Sequence, residues 1–263
     1  MFESILFISS NVGSLFEYNR KLYLPWRKAT SDFIDRKNAS LIILTMQEFG
    51  GKNILAWDDA DFFLKGLYEH FSSDYSTFVC FVDCDMKSEN NFTALCTVFM
   101  ARTSLNRLEF FDFDDNKYTG FEAGYHVHQL CQISGMALKI KFPIELFPNG
   151  KWSRKGYMIN RLRFGGLYSI DVVNLHLIHD SNFFLLINSP TVFQEYRRRQ
   201  LQHILETLDQ LKSINTVLCG DFNFRTSLSQ LLNSFDKEYT FESDQELSNN
   251  DTCVARDLSD RNV

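Results

Sequence analysis

Eight short apolar runs constrain the architecture open to this chain more than any other feature: "SILFIS" (4–9), "LIILTM" (41–46), "TFVCFVD" (77–83), "TALCTVFM" (93–100), "LEFFDF" (108–113), "YMINRLRF" (157–164), "YSIDVVNLHL" (168–177) and "NTVLCG" (215–220). They are short, bounded by polar residues and rich in β-branched and aromatic side chains, so they predict strands. Three stretches between them carry helical spacing instead. Pro25 leads into Trp26, Ala29, Phe33 and Ile34; residues 59–71 set Phe63, Leu64, Leu67, Tyr68 and Phe71 on one face; Ser189 and Pro190 open a helix through Phe193, Tyr196, Leu201, Ile204 and Leu208. Early strand and helix alternation followed by hairpin-like strands predicts layered sheets covered by helices, not a purely parallel sheet.

At 263 residues the chain suits one large domain. Its 26 Phe predict thick apolar packing, and the net charge of −6 leaves no global positive field to hold a nucleic-acid duplex. An anionic ligand therefore needs a local basic pocket. The opening "MFESILFISS" contains Glu3, lacks a basic start and is too short for a secretory core or a membrane span, so it reads as a first strand. The six Cys are scattered without metal-site or disulfide spacing, which fits a reduced, cytoplasmic setting. Residues 227–263 are polar with little apolar periodicity and are expected to be loop-like.

Polar residues cluster where the apolar runs stop. Glu48 follows "LIILTMQ" ahead of Gly50 and Gly51, and Asn11 closes the first run in "SSNVGS". Each reads equally as a loop carboxylate or a turn residue. His176 lies in the apolar "VVNLHLIHD"; it is a structural histidine or a functional one, and zinc is disfavoured because His176 and His179, three apart on a strand, point to opposite faces. Asp221 and Asn223 in "GDFNFR" share one side of an extended chain, where they serve either as a capped turn or as a carboxylate and an amide around one water. Two basic runs, "KWSRKG" (Lys151, Arg154, Lys155) and "YRRR" (Arg197, Arg198, Arg199), are solvated faces or the wall of a polyanion pocket.

In chain order, "NVGS" (11–14), "QEFGGKN" (47–53), "KWSRKG" (151–156), "VNLHLIHD" (173–180), "SPTVF" (189–193) and "GDFNFR" (220–225) resemble the type I inositol polyphosphate 5-phosphatases, the branch acting on soluble inositol-trisphosphate within the endonuclease/exonuclease/phosphatase superfamily. The resemblance implies an α+β fold, the four-layer α/β/β/α sandwich of DNase I-like proteins, and a Mg²⁺-dependent phosphomonoesterase. It implies that Glu48 is the principal Mg²⁺ ligand with Asn11 beside it, and that few protein ligands suffice because Mg²⁺ keeps its waters. Asp221 would deprotonate the attacking water, Asn223 would hold that water or the phosphate, and His176 would donate to a phosphoryl oxygen. Lys155, Arg154, Lys151 and Arg197 would bind substrate phosphates.

Two family elements usual downstream, Pro-Ala-Trp-Cys-Asp-Arg and Ser/Gly-Asp-His, do not occur in this sequence. The expectation is a chain truncated at its C-terminal end, missing its last strands and a catalytic Asp-His pair, and lacking a prenylation ending, so that membrane association is not expected. The leading reading is release of the 5-phosphate from inositol 1,4,5-trisphosphate and 1,3,4,5-tetrakisphosphate, ending calcium-mobilising signalling, by a cytoplasmic monomer without nucleic-acid partners. Full-length relatives are expected to be cytoplasmic or peripheral at the plasma membrane. The alternatives are an impaired inositol-phosphate-binding fragment, and a nuclease on the same fold.

Overall fold

The computed structural model describes residues 4–16, 21–50, 57–85, 88, 90–105, 107–130, 135–151, 153–166, 168–180, 190–213, 215–224, 239–243 and 253–257. The elements run β1 (Ile5–Asn11), α1 (Tyr23–Lys37), β2 (Leu41–Gln47), α2 (Trp57–Phe71), β3 (Thr77–Val82), β4 (Cys96–Ala101), β5 (Leu108–Asp112), β6 (Lys117–Gly120), β7 (Gly124–Gln129), β8 (Leu138–Lys141), β9 (Gly156–Phe164), β10 (Tyr168–His176), α3 (Pro190–Gln210), β11 (Thr216–Asp221), β12 (Tyr239–Ser243) and β13 (Cys253–Asp257). All eight expected strands and all three expected helices are present. β6, β7 and β8 are half-buried strands of four to six residues without an apolar run to announce them. Within the stretch read as loop-like, β12 and β13 pair antiparallel; five-residue runs are too brief to stand out from polar surroundings.

The strands form two large sheets. One has the order β1-β2-β4-β3-β7; the other has the order β11-β10-β9-β5-β6, with β8 also paired to β9. Alternation along each strand divides the side chains between two faces. On the outer face of the first sheet, Ile42, Leu44 and Met46 share a cluster with Ile34 of α1 and with Leu64 and Leu67 of α2. The intervening Leu41 and Ile43 turn the other way, into a cluster with Phe99, Phe110, Leu162 and Val172 between the sheets. Ile159, Val173 and Leu175 leave the second sheet on its far side to meet Phe193, Ile204 and Leu208 of α3. The layer order is therefore helix, sheet, sheet, helix, the four-layer sandwich that the resemblance implies.

Local signals explain the helix ends. α1 stops at Asn38, whose φ of 49° is left-handed and whose N–H donates to the Ile34 carbonyl, satisfying a terminal acceptor. α3 begins at Pro190, where a missing N–H does no harm. With α1 and α3 each joining two parallel strands, β1 to β2 and β10 to β11, the C-terminal ends within each pair lie in register.

Phenylalanine does much of the packing between the sheets. Phe110 is fully buried, with ring centroids 5.1 Å from Phe81, 4.8 Å from Phe99 and 5.5 Å from Phe121. Replacing it by Ala should destabilise the fold by about 3–5 kcal/mol, read as a lowered urea midpoint. A loss below about 1 kcal/mol would mean that this layer is not a packed core.

Candidate active site

Each of the two βαβ units delivers two polar residues to the same end of the sandwich. Asn11 ends β1 opposite Gln47, and Glu48 follows directly; His176 ends β10 opposite Asp221, the last residue of β11. Alternation sends Asn11 to the same side as Phe7, and His176 to the same side as Asn174 and Val172, so the two pairs face each other across the gap between sheets.

The side chains meet there. Asn11 Nδ2 donates to Asp221 Oδ2 at 3.1 Å, and His176 Nε2 lies 3.5 Å from that oxygen and 3.8 Å from Glu48 Oε1. Gly13 N donates to Asn11 Oδ1 at 3.2 Å, fixing the amide, while a Cβ at Gly13 would sit 2.4 Å from Glu48 Oε2. The glycine of "NVGS" thus leaves room for the Glu48 carboxylate in this position. Glu48 itself has a φ of 55° and Asn223 a φ of 51°. A left-handed glutamate costs on the order of 1 kcal/mol, and such strain is retained where surrounding contacts over-determine it.

His176 is 1% exposed and Lys155 5% exposed, and the Lys155 ammonium contacts His176 Nε2. Burial, then the positive charges of Lys155, His179 and Arg154, push the imidazole from its ordinary 6.5 down to about 2, so it is neutral. Its approaches to Glu48 and Asp221 are consequently not ion pairs. Nε2 accepts from Lys155, which leaves the ring proton on Nδ1, a buried atom with no hydrogen-bond partner among the described residues. In this arrangement Lys155 occupies the nitrogen through which His176 would donate to a phosphoryl oxygen.

Asn223 lies beside Asp221: its backbone N–H donates to Asp221 Oδ1 at 3.0 Å, and its side-chain Nδ2 donates to the Leu177 carbonyl at 2.8 Å. It orients the carboxylate and braces the segment after His176. Arg154 is half-buried, with its guanidinium 5.9 Å over the Phe92 ring, and Lys151 is exposed just beyond the turn at Gly150. Arg197 is not brought to this group. It is 3% exposed and donates to Asp180 Oδ1 at 3.1 Å, so its positive charge is committed inside the protein. A spacing was available to foresee this, because Phe193, Arg197, Gln200, Ile204 and Leu208 recur on the buried face of α3.

Sequence reasoning missed Asn174 and Gln47. Asn174, fully buried, accepts from Gln47 Nε2 at 2.8 Å and donates to the carbonyls of Cys96 (2.9 Å) and Met46 (3.2 Å). The available signal was a carboxamide at an inward position of an otherwise apolar strand.

The oxygen donors present, a Glu48 carboxylate and an Asn11 carboxamide beside Asp221, match a hard cation such as Mg²⁺. Among the described residues no three acidic, His or Cys side chains form a closed metal cage. An ion that keeps most of its waters needs no such cage.

No family model matches the chain. It is 32% identical over 227 residues to inositol polyphosphate-5-phosphatase A of Homo sapiens, covering 84% of this chain and 55% of that protein. Over 235 residues it is 31% identical to a probable type I inositol 1,4,5-trisphosphate 5-phosphatase of Caenorhabditis elegans, covering 87% and 57% respectively. The chain spans about half the length of these curated relatives. Among solved structures it is similar to sphingomyelinase C from Streptomyces griseocarneus (16% identity, TM-score 0.45, 90% of this chain and 70% of that one). It is also similar to D. rerio TDP2 complexed with a single-strand DNA product (15% identity, TM-score 0.45, 88% and 64%).

Two predictions follow from this geometry. Asn174→Ala strands a buried donor on Gln47 and two carbonyls, and should cost about 2–3 kcal/mol in urea unfolding, a loss dominated by the unsatisfied polar groups. Because the folded-state value for His176 is depressed, its contribution is present above pH 6.5 and is lost as pH falls, when only the unfolded ring takes up a proton. The slope from this group is up to about 1.4 kcal/mol per pH unit. Unfolding midpoints measured at falling pH should therefore drop more steeply in the wild type than in His176→Asn; equal slopes would contradict a buried neutral imidazole.

Proposed function

We propose that this chain, a homologue of the inositol polyphosphate 5-phosphatases, performs their chemistry: Mg²⁺-dependent hydrolysis of the 5-phosphate of inositol 1,4,5-trisphosphate and 1,3,4,5-tetrakisphosphate. The observation that carries the reading is the chain of contacts that joins residues from remote parts of the sequence: Asn11 to Asp221 at 3.1 Å, Asp221 to His176 at 3.5 Å and His176 to Glu48 at 3.8 Å.

Asp221 is the proton acceptor for the attacking water. Both its oxygens are engaged, Oδ2 by Asn11 and Oδ1 by the Asn223 N–H, which keeps the carboxylate oriented toward one volume. Lys155 moves its ammonium from His176 Nε2 to a phosphoryl oxygen, exchanging a neutral acceptor for an anionic one. His176, neutral and buried, walls the site and holds Lys155 in readiness. Glu48 and Asn11 would hold Mg²⁺, which when bound neutralises charge on the phosphate and the departing alkoxide. The substrates proposed are soluble, so the protein would act as a cytoplasmic monomer that ends a calcium-mobilising signal; no described helix is long and apolar enough to cross a membrane.

The contact between Lys155 and His176 favours a second reading, a binder of inositol phosphates without turnover, because Lys155 occupies Nε2 of His176. Phosphate release separates the two. With Mg²⁺ the wild type should release phosphate from both inositol phosphates, and Glu48→Gln and Asp221→Asn should each lower kcat by about 100-fold or more. Release that survives chelation of Mg²⁺ would sink the metal-dependent mechanism; calorimetric binding without release would establish the second reading.

A further inference from the structure

The register of the second sheet places four residues on one line at the site's edge. Lys141 of β8 lies opposite Gly156, Gly156 opposite His176, and His176 opposite Asp221. Directly opposed residues project from the same face of a sheet, so Lys141 leaves on the side that carries His176 and Asp221. Two interstrand spacings separate the Lys141 and His176 backbones by about 10 Å. Between them Gly156 is hemmed in, since a Cβ there would lie 2.5 Å from the Ile140 carbonyl and 2.8 Å from Thr93 Cγ2, so the interval is lined by the Thr93 methyl and not by a side chain of β9.

The contacts beyond that line run in the same direction. Lys141 Nζ donates to the Phe92 carbonyl at 3.3 Å; the Phe92 ring underlies the Arg154 guanidinium; and Arg154 precedes Lys155, whose ammonium rests on His176. Lys139, two residues earlier and on the same face, is placed differently. Its ammonium is 3.0 Å from Asp83, a carboxylate 1% exposed that also accepts from Thr93 N at 2.6 Å and Thr93 Oγ1 at 2.7 Å. Lys139 thus helps hold the two sheets together, and Lys141 lies at the end of β8, one row nearer the residues of the site. The site is polarised as a result, with Glu48 and Asp221 on one rim and Lys155, Arg154 and Lys141 along the other.

We propose that Lys141 is a specificity-determining residue that receives a second, non-scissile phosphate of a polyphosphorylated substrate while the phosphate to be cleaved lies at Lys155. This rests on the phosphatase reading above and adds to it a subsite two strands away. A lysine suits the role, because a mobile point charge serves a phosphate whose direction depends on how the ring sits, and an anionic phosphate oxygen outcompetes a carbonyl for the ammonium. A substrate carrying one phosphate reaches only the Lys155 centre; one carrying several spans both.

Calorimetry on the full chain with Mg²⁺ tests this, using inositol 1,4,5-trisphosphate and inositol 5-monophosphate as probes, with Lys141→Met and, as a control for general charge loss, Lys37→Met at the far end of α1. Lys141→Met should weaken trisphosphate binding by about tenfold, leave monophosphate binding as in the wild type, and keep the wild-type urea midpoint. Lys37→Met should change neither affinity. Unchanged trisphosphate binding in Lys141→Met, or an equal loss for both probes, overturns the subsite while leaving the phosphatase reading intact. A wild type that binds neither probe overturns the phosphatase reading, and the subsite with it.

Discussion

One buried carboxamide sets the distance between the sheets where the chemistry is placed. Apolar packing holds two sheets together but is nondirectional, so by itself it leaves them free to slide by fractions of a side chain. Asn174 removes that freedom: from β10 it reaches across to the Gln47 side chain and to the backbones of β2 and β4. It stands two residues before His176, and its partner Gln47 stands one before Glu48. Asn11 with Asp221 and Lys139 with Asp83 continue the same seam on either side of it. In a low-dielectric interior these bonds are short-ranged and geometrically strict, so the sheets have one relative position at this end and the site inherits it.

Charge is distributed along that seam in opposite senses. Glu48 and Asp221 make one side acceptor-rich, suited to a cation and to taking a proton, while Lys155 and Arg154 make the other side donor-rich, suited to an anion. His176 lies where the two meet. Its burial and the adjacent positive charges hold it neutral, and neutrality is what permits it to accept from Lys155 instead of repelling it. The arrangement keeps an ammonium inside the protein against a soft, uncharged partner, which a phosphate can readily replace.

Much of this was legible in the sequence, for identifiable reasons. The eight apolar runs became strands because β-branched and aromatic alternation is a local property, and the residues that ended them (Asn11, Glu48, His176, Asp221) marked the site because strand ends are where polar groups become useful. What stayed hidden depended on partners. β7 reads "GYHVHQ", and nothing in six residues reveals that β3 will pair with it. Arg197 sat in a basic run that suggested a phosphate clamp, yet a charge run does not say which face of a helix it occupies; Asp180, seventeen residues away, claims it. Asn223 stands two residues from Asp221 in the sequence, but the Leu177 carbonyl that takes its amide belongs to a different strand end.

The scattering of the motifs through the chain follows from the topology. A parallel pair joined by one helix has both C-terminal strand ends on the same edge, and in open α/β arrangements ligands bind outside those ends. Here β1-α1-β2 and β10-α3-β11 are two such units, one in each sheet, with their helices outermost and their inner faces opposed. Each contributes one residue per strand: Asn11 and Glu48 from the first, His176 and Asp221 from the second. Neither unit holds a site alone, because the first lacks the base and the second lacks the amide that engages Oδ2 of that base. Their junction is the only place where Asn11 can reach Asp221, 210 residues further along the chain. A site built in this way requires the two halves to be closed on each other, so the bonds of the seam belong to the chemistry as much as to the fold.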